Sequence, residues 1–416
     1  MEKIKEINLF KLLVASLFCL LPISYIIGNL VFELNVILII INFFFSIDKK
    51  KFSEIFDKKE FILFLILLIY LQFNTIVSDD WQTSFRRNFF FFRFYLLIIS
   101  FRYFLVNNYF NSKIIYSWIL VIFITTFDIF YEYINGYNLL GYNSNFTHRI
   151  ASFFKDELIV GSFIFAFTIP IFSFLYIKKK YLFSVLFLIV TFISIILSGE
   201  RSIFFKMIIA LMIIFYFWEY KIYYKKYLAL FFITILSFSF LYIPIEKVFV
   251  NKVDRYFLSI KRVISYNENY TVKQNLLGTK YINQGVITYE ILKENPILGV
   301  GNKNYFKSCQ KYMNENEKKY CFTHAHQIYY EFLSEHGILG TFLILIILFQ
   351  LIFNNHKNIK NKMDKKKLFM FGIYLYISLL PLLPSGSFFS SNTSNLFWLN
   401  YTFYTFFRDL LIKNRI

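Results

Sequence analysis

Long apolar runs recur along the whole chain and constrain it more than any other feature. They lie at 7–27, 29–47, 61–77, 89–106, 114–134, 152–177, 182–197, 202–218, 227–245, 337–353, 368–384 and 396–412. A helix crossing a bilayer needs about 20 mostly apolar residues, so these runs predict about 12 transmembrane helices. The expected fold is an all-α, polytopic integral membrane protein. The first run is too long, and too closely followed by the second, to read as a cleaved signal peptide. The chain is 57% hydrophobic and 17% charged. Soluble domains are roughly half apolar and a quarter charged, so an ordinary cytoplasmic enzyme is excluded at the outset.

The net charge of +19 would suggest nucleic acid in a soluble domain, but here it has to be placed relative to the spans. Counting spans from an inner N-terminus puts Lys49 to Lys51, Lys58, Lys59, Lys178 to Lys180, Lys225, Lys226 and the lysines between Lys357 and Lys367 on the cytoplasmic face. The short outer loops hold only Arg86, Arg87, Arg149 and Arg201. Lysine and arginine gather on the cytoplasmic side of membrane proteins, so both termini are expected inside and nucleic acid is not an expected partner. Within the spans, Arg93 should pair or face a polar cavity, and Arg102 should snorkel inward.

One connection is not short. Residues 246–336 form a polar segment of about 90 residues between spans 9 and 10, far beyond the 12–15 at which an unstructured loop becomes unusual. Within 280–294 the residues Tyr281, Ile282, Gly285, Val286, Tyr289 and Leu292 fall near one helical face. The segment therefore reads as an ordered periplasmic cap. The chain divides into N-terminal transmembrane helices at 1–150, helices including the Arg201 turn at 151–245, the cap at 246–336, and C-terminal helices at 337–416.

Chemistry-bearing residues concentrate near the end of the cap. Asn295-Pro296-Ile297-Leu298-Gly299-Val300-Gly301 is followed by Cys321-Phe322-Thr323-His324-Ala325-His326-Gln327 and then by Glu331, Glu335, His336, Gly337 and Gly340. Pro296 ends a helix, and the two glycines free the backbone for a tight turn. His326, Tyr330 and Leu333 share a helical face, with Glu335 nearby. A His-x-His pair also suits a solvated loop or a zinc site, but no regular ligand spacing completes a metal set. The preferred reading is a general base or hydrogen-bonding group, since neutral imidazole titrates near physiological pH. Arg201, in a short outer turn, either anchors its helix by snorkelling or binds phosphate, which a guanidinium suits; phosphate binding is preferred. Arg255, Arg262 and Lys280 are further phosphate candidates, although scattered cations usually mark a solvated face. Cys309 and Cys321 share a disulfide-permissive compartment, and a bridge there would hold the histidine segment in place.

Arg201 at the start of a span, the run Pro296 to Gly301, and His326 followed by Glu335, Gly337 and Gly340 together resemble the O-antigen ligase/polymerase superfamily. The likeness covers roughly 192–353. It implies a membrane glycosyltransferase that takes a glycan from undecaprenyl diphosphate at the periplasmic face of the bacterial inner membrane. Ligases pass it to lipid A–core, polymerases extend the glycan, and relatives glycosylate protein. By that resemblance His326 matches the essential histidine and Arg201 an arginine that binds the lipid diphosphate, while no metal, cofactor or nucleotide-sugar is expected. Gln327 stands where the family usually has Asn. Thr279-Lys280-Tyr281 stands where it often has Arg, so Lys280 or Arg262 would supply the second diphosphate contact.

The expected function is O-antigen ligase, metal-independent and inverting, with His326 and His324 as catalytic imidazoles and Glu335 or Glu331 orienting the ring. The nearest alternative is the polymerase, which shares the donor. A lipid-linked glycan flippase is the alternative of a different class. Transporters, however, place their sites near the midplane in broken helices and do not require a long His/Arg cap.

Overall fold

The computed structural model describes residues 2–106, 112–143, 149–155, 157–218, 280–313, 321–357, 359–381 and 383–412. Among them every regular element is helical. The helices are α1 (Glu2–Cys19), α2 (Leu21–Ile27), α3 (Asn29–Ser46), α4 (Lys49–Ile55), α5 (Lys58–Ile76), α6 (Trp81–Phe89), α7 (Phe92–Val106), α8 (Ser112–Asn135), α9 (Val160–Ile177), α10 (Tyr181–Ser198) and α11 (Arg201–Phe217). After residues 219–279 come α12 (Lys280–Glu294), α13 (Tyr305–Cys309), α14 (Ile328–Lys357), α15 (Lys362–Phe371), α16 (Ile373–Ser378) and α17 (Ser391–Ile412).

Among the described residues seven stretches are long and apolar enough to cross a membrane: Asn29–Ser46, Lys58–Ile76, Trp81–Leu105, Ser112–Asn135, Val160–Ile177, Tyr181–Ser198 and Ile328–Lys357. The pair Phe10–Cys19 and Leu21–Ile27, bent by 49°, would make an eighth. The chain is thus a polytopic helical membrane protein, with fewer spans identified by length and composition than the sequence runs suggest. The run at 227–245 and the first part of the expected cap lie outside the described residues. The run at 368–384 is two short helices, because α15 ends at Gly372 and α16 at Ser378.

The run at 396–412 lies within α17, which is buried along almost its whole length. That burial explains its composition. Asn395, Asn400, Thr402 and Thr405 are tolerated because neighbouring helices, not lipid, surround them; the Asn400 amide, for example, donates to the Ala166 carbonyl of α9 at 3.1 Å. Trp398 interlocks with Phe64, at 4.8 Å between ring centroids, and with Phe91 and Tyr401. Van der Waals packing of this kind holds membrane helices together, since lipid offers no hydrophobic drive for their association.

Both span arginines are paired. Arg93 donates to Glu33 at 2.8 Å. Arg102 does not snorkel: it is buried, with Glu60 at 2.7 Å and Asp409 at 3.1 Å. The expectation fails because α5 and α17 bring carboxylates to α7, and a buried ion pair with good geometry replaces the water that snorkelling would seek.

Candidate active site

The glycine turn and the histidine helix are built against one another. Within α14, Gly337 adopts φ 63°, ψ −169° and breaks the helical ladder. Backbone groups on either side of the break then need partners outside the helix. The turn after α12 supplies them: Val300 and Gly301 donate to the Ser334 and Glu335 carbonyls at 3.0 and 2.9 Å, and Ile338 and Leu339 donate to Pro296 and Ile297 at 2.8 and 3.2 Å. Such an approach excludes side chains. A Cβ on Gly299 would stand 2.5 Å from the Glu335 carbonyl carbon, and one on Gly337 2.3 Å from the Ile297 oxygen.

The N-terminal half holds this joint from below, a role that the sequence reading did not assign to it. The Asn74 amide of α5 donates to the Glu335 carbonyl at 3.2 Å and accepts from the Asn302 N–H at 2.8 Å. From α6, Ser84 donates to the Asn302 carbonyl at 2.7 Å, and Asn88 accepts from the Asn302 amide. The Tyr70 hydroxyl meets His336 Nδ1 at 3.2 Å. Asn74 is a polar residue inside the apolar run at 61–77, a signal that marks functional positions in spans, whereas Asn88 precedes the run at 89–106 and carries no such signal.

His326 sits where the chain enters α14. It is a non-glycine residue at φ 53°, a left-handed conformation that persists only where its surroundings enforce it. Three features do so. The Ser385 N–H donates to the His326 carbonyl at 3.0 Å. Gln327 caps the helix, its Oε1 accepting from Tyr329 and Tyr330 N–H at 2.6 and 2.9 Å while its Nε2 donates to Pro381; a side-chain amide is what this cap needs. A disulfide joins Cys309 to Cys321, with Cα atoms 5.7 Å apart, just ahead of the histidines. The His324 and His326 rings lie 4.0 Å apart between centroids.

The two glutamates hold loops. Glu335 is buried, and its oxygens accept from the Lys303 and Tyr305 N–H groups at 2.8 and 3.3 Å. Glu331 accepts from the Ser387 hydroxyl at 2.6 Å and the Phe388 N–H at 2.8 Å. Between them stands Lys303, at φ 66°, whose ammonium donates to Ser387 Oγ at 2.5 Å. These bonds direct both carboxylates to neighbouring loops, and they gather Lys303 and the 385–391 loop into the same cluster, which motif spacing does not disclose.

Arg201 is the first residue of α11 and is exposed. Glu200 beside it is buried and accepts from the Gly161 N–H at 2.6 Å and the Ser162 hydroxyl at 3.0 Å. Burial pushes the Glu200 carboxyl up to about 7, against the pull of those bonds and of Arg149. Asn392, next to the 385–391 loop, donates to Glu157 ahead of α9 at 3.3 Å, so the Arg201 turn and the histidine segment share one end of the bundle. Lys280 opens α12. Arg255 and Arg262 lie outside the described residues. Among the described residues no group of three or more His, Cys, Asp or Glu is arranged to hold a metal ion.

A polytopic helical membrane protein with a locked histidine segment at one end is the class that this fold and site define. Residues 185–345 match the family model described as O-antigen ligase. Over that stretch the chain is similar to O-antigen ligases, and the likeness takes in the Arg201 turn, the glycine turn and the start of the histidine helix. Members of the family are glycosyltransferase-like enzymes acting on lipid-linked glycans. No curated protein matches the chain.

Proposed function

We propose that the protein is an O-antigen ligase, transferring a glycan from undecaprenyl diphosphate to a sugar hydroxyl of lipid A–core at the periplasmic face of the inner membrane. The observation that carries this reading is His326, held in a strained backbone conformation at the mouth of α14, within a segment that matches the ligase family. The acceptor oxygen attacks the anomeric carbon, the carbon–oxygen bond to the diphosphate breaks, and the lipid diphosphate leaves with the bonding pair. His326 takes the acceptor's proton as general base, with His324 beside it; such a group typically contributes about 10²–10⁴ in rate.

Arg201 meets the departing diphosphate. It stands at the N-terminus of α11, where the helix dipole also favours an anion, and charge developing on the leaving group is stabilised there. Lys280, Arg255 and Arg262 are proposed as the further cations. Glu335 and Glu331 act through the loops they hold. Transfer by this route inverts the anomeric centre and uses no metal.

The test is transfer by the purified protein from undecaprenyl-diphosphate glycan, offered lipid A–core in one reaction and a second lipid-linked glycan in another. Product on lipid A–core supports the ligase. Product on the lipid-linked glycan alone replaces it with the polymerase.

A further inference from the structure

α6 is built inside out. Only Ser84 and Asn88 of its nine residues are buried, one turn apart on the stripe that grips Asn302. Its apolar residues face away from the protein: Trp81 is 60% exposed, Phe85 42% and Phe89 47%, with Phe85 and Phe89 stacked at 5.3 Å between centroids. A surface helix in water would bury its phenylalanines and expose its serine and asparagine. The reversal means that the outward face meets something apolar.

That something is not hydrocarbon alone, because Arg86 and Arg87 share the exposed surface. Arg87 donates to Ser391 at 2.9 Å. Aromatic rings, a tryptophan and guanidinium groups occur together at one depth of a bilayer, the headgroup layer. Guanidinium is matched in geometry and charge to a phosphodiester.

We infer that α6, the outer end of the span-length stretch Trp81–Leu105, reaches the headgroup layer of the leaflet at the histidine end and binds anionic phospholipid, with Phe85 and Phe89 among the upper acyl carbons and Arg86 and Arg87 on headgroup phosphates. Because Ser84 and Asn88 hold the glycine turn from the same helix, α6 fixes the height of the candidate site relative to the membrane surface. The inference goes beyond glycosyl transfer and does not depend on it.

Trp81 reports on it directly. The other tryptophans, Trp118, Trp218 and Trp398, are at most 3% exposed. With the full chain in nanodiscs, lipids brominated near the headgroup should quench Trp81 fluorescence more than lipids brominated at the chain ends. Aqueous iodide should have little effect, and the signal should vanish in Trp81→Phe. Quenching by iodide without quenching by bromolipid would overturn the placement.

For the headgroup, native mass spectrometry of the detergent-purified protein should show phosphatidylglycerol retained over phosphatidylcholine. Arg86→Gln with Arg87→Gln should weaken that retention about 30-fold, from the typical contribution of two arginines near an anionic surface, and the double Lys variant should keep most of it. Unchanged retention in the Gln variant would contradict the inference. So would displacement of the lipid by inorganic phosphate, which would make the pair a site for soluble phosphate.

Discussion

Lys303, which no motif singles out, links the two glutamates of the candidate site. Its N–H binds Glu335, its ammonium binds Ser387, and Ser387 in turn donates to Glu331. Removing the ammonium deletes its bond to Ser387 and the positive charge near the two buried glutamates, and leaving a buried partner unmade costs about 1–3 kcal/mol. Lys303→Met should lower thermal stability by that order and slow transfer with little change in the donor KM. Lys303→Arg should restore part of both. A raised donor KM with unchanged stability would instead make Lys303 a substrate contact.

Glu200 supplies a pH prediction at the same scale. Its folded pKa, near 7, lies above its ordinary value of 4.5. The folded state therefore binds the proton more tightly, and stability is highest at low pH and falls as pH rises from about 4.5 through 7, by a total on the order of 3 kcal/mol. Glu200→Gln should flatten the dependence of the melting temperature on pH over that window. An unchanged slope would assign the dependence to other groups.

His326 and the disulfide pair stand out in the sequence because the chain has only 5 histidines and 3 cysteines, and Gln327 stands out only by adjoining them. Lys303 does not stand out: its importance comes from a left-handed backbone and from two glutamates about 30 positions downstream, neither of which spacing reveals.

At the scale of elements, the joint between the glycine turn and the break in α14 decides whether the histidine segment is presented at all. Both glycines lie at positive φ and both face backbone, which cannot move aside as a flexible side chain can. Gly299→Ala and Gly337→Ala each add left-handed strain of about 1–3 kcal/mol to a direct overlap. Either variant should yield protein with a lowered melting temperature and no transfer. Normal melting and normal activity in both would mean that the joint can open without consequence.

The glycines and Pro296 make this turn legible in sequence, but the partner surface does not announce itself. Asn74, Ser84 and Asn88 are spaced across two helices, and only the fold brings them to Asn302. α6 illustrates the same limit. In sequence 81–88 reads as a short outer loop ahead of the run at 89–106, whereas the fold makes it a helix whose buried Ser84 and Asn88 turn its aromatic face outward.

At the scale of the whole molecule, the apolar runs define an all-helical membrane protein, and their number exceeds the spans that length and composition identify in the described helices. The difference has several sources: Gly372 interrupts one run, a bend interrupts the first, α17 carries polar residues that neighbouring helices surround, α11 has only 17 residues, and the run at 227–245 lies outside the described residues. At the end opposite the histidines, Arg102, Glu60, Asp409, Arg408 and Asp57 tie α5, α7 and α17 together. Arg102→Met leaves buried Glu60 without its cation, while Asp409 keeps Arg408 at 2.7 Å, and should cost about 3–5 kcal/mol, read as loss of folded protein on detergent extraction. The lysine distribution predicts that this end faces the cytoplasm; reporters fused after Lys357 and after Ile412 should both report a cytoplasmic location, and a periplasmic signal at either would invert the topology.

The most direct measurement is transfer from undecaprenyl-diphosphate glycan to lipid A–core by wild-type protein and His326→Ala, compared at equal melting temperature. With His326 as the base, the variant should lose about 100-fold or more in rate while still binding the donor. Full transfer by a normally folded His326→Ala protein would contradict the account.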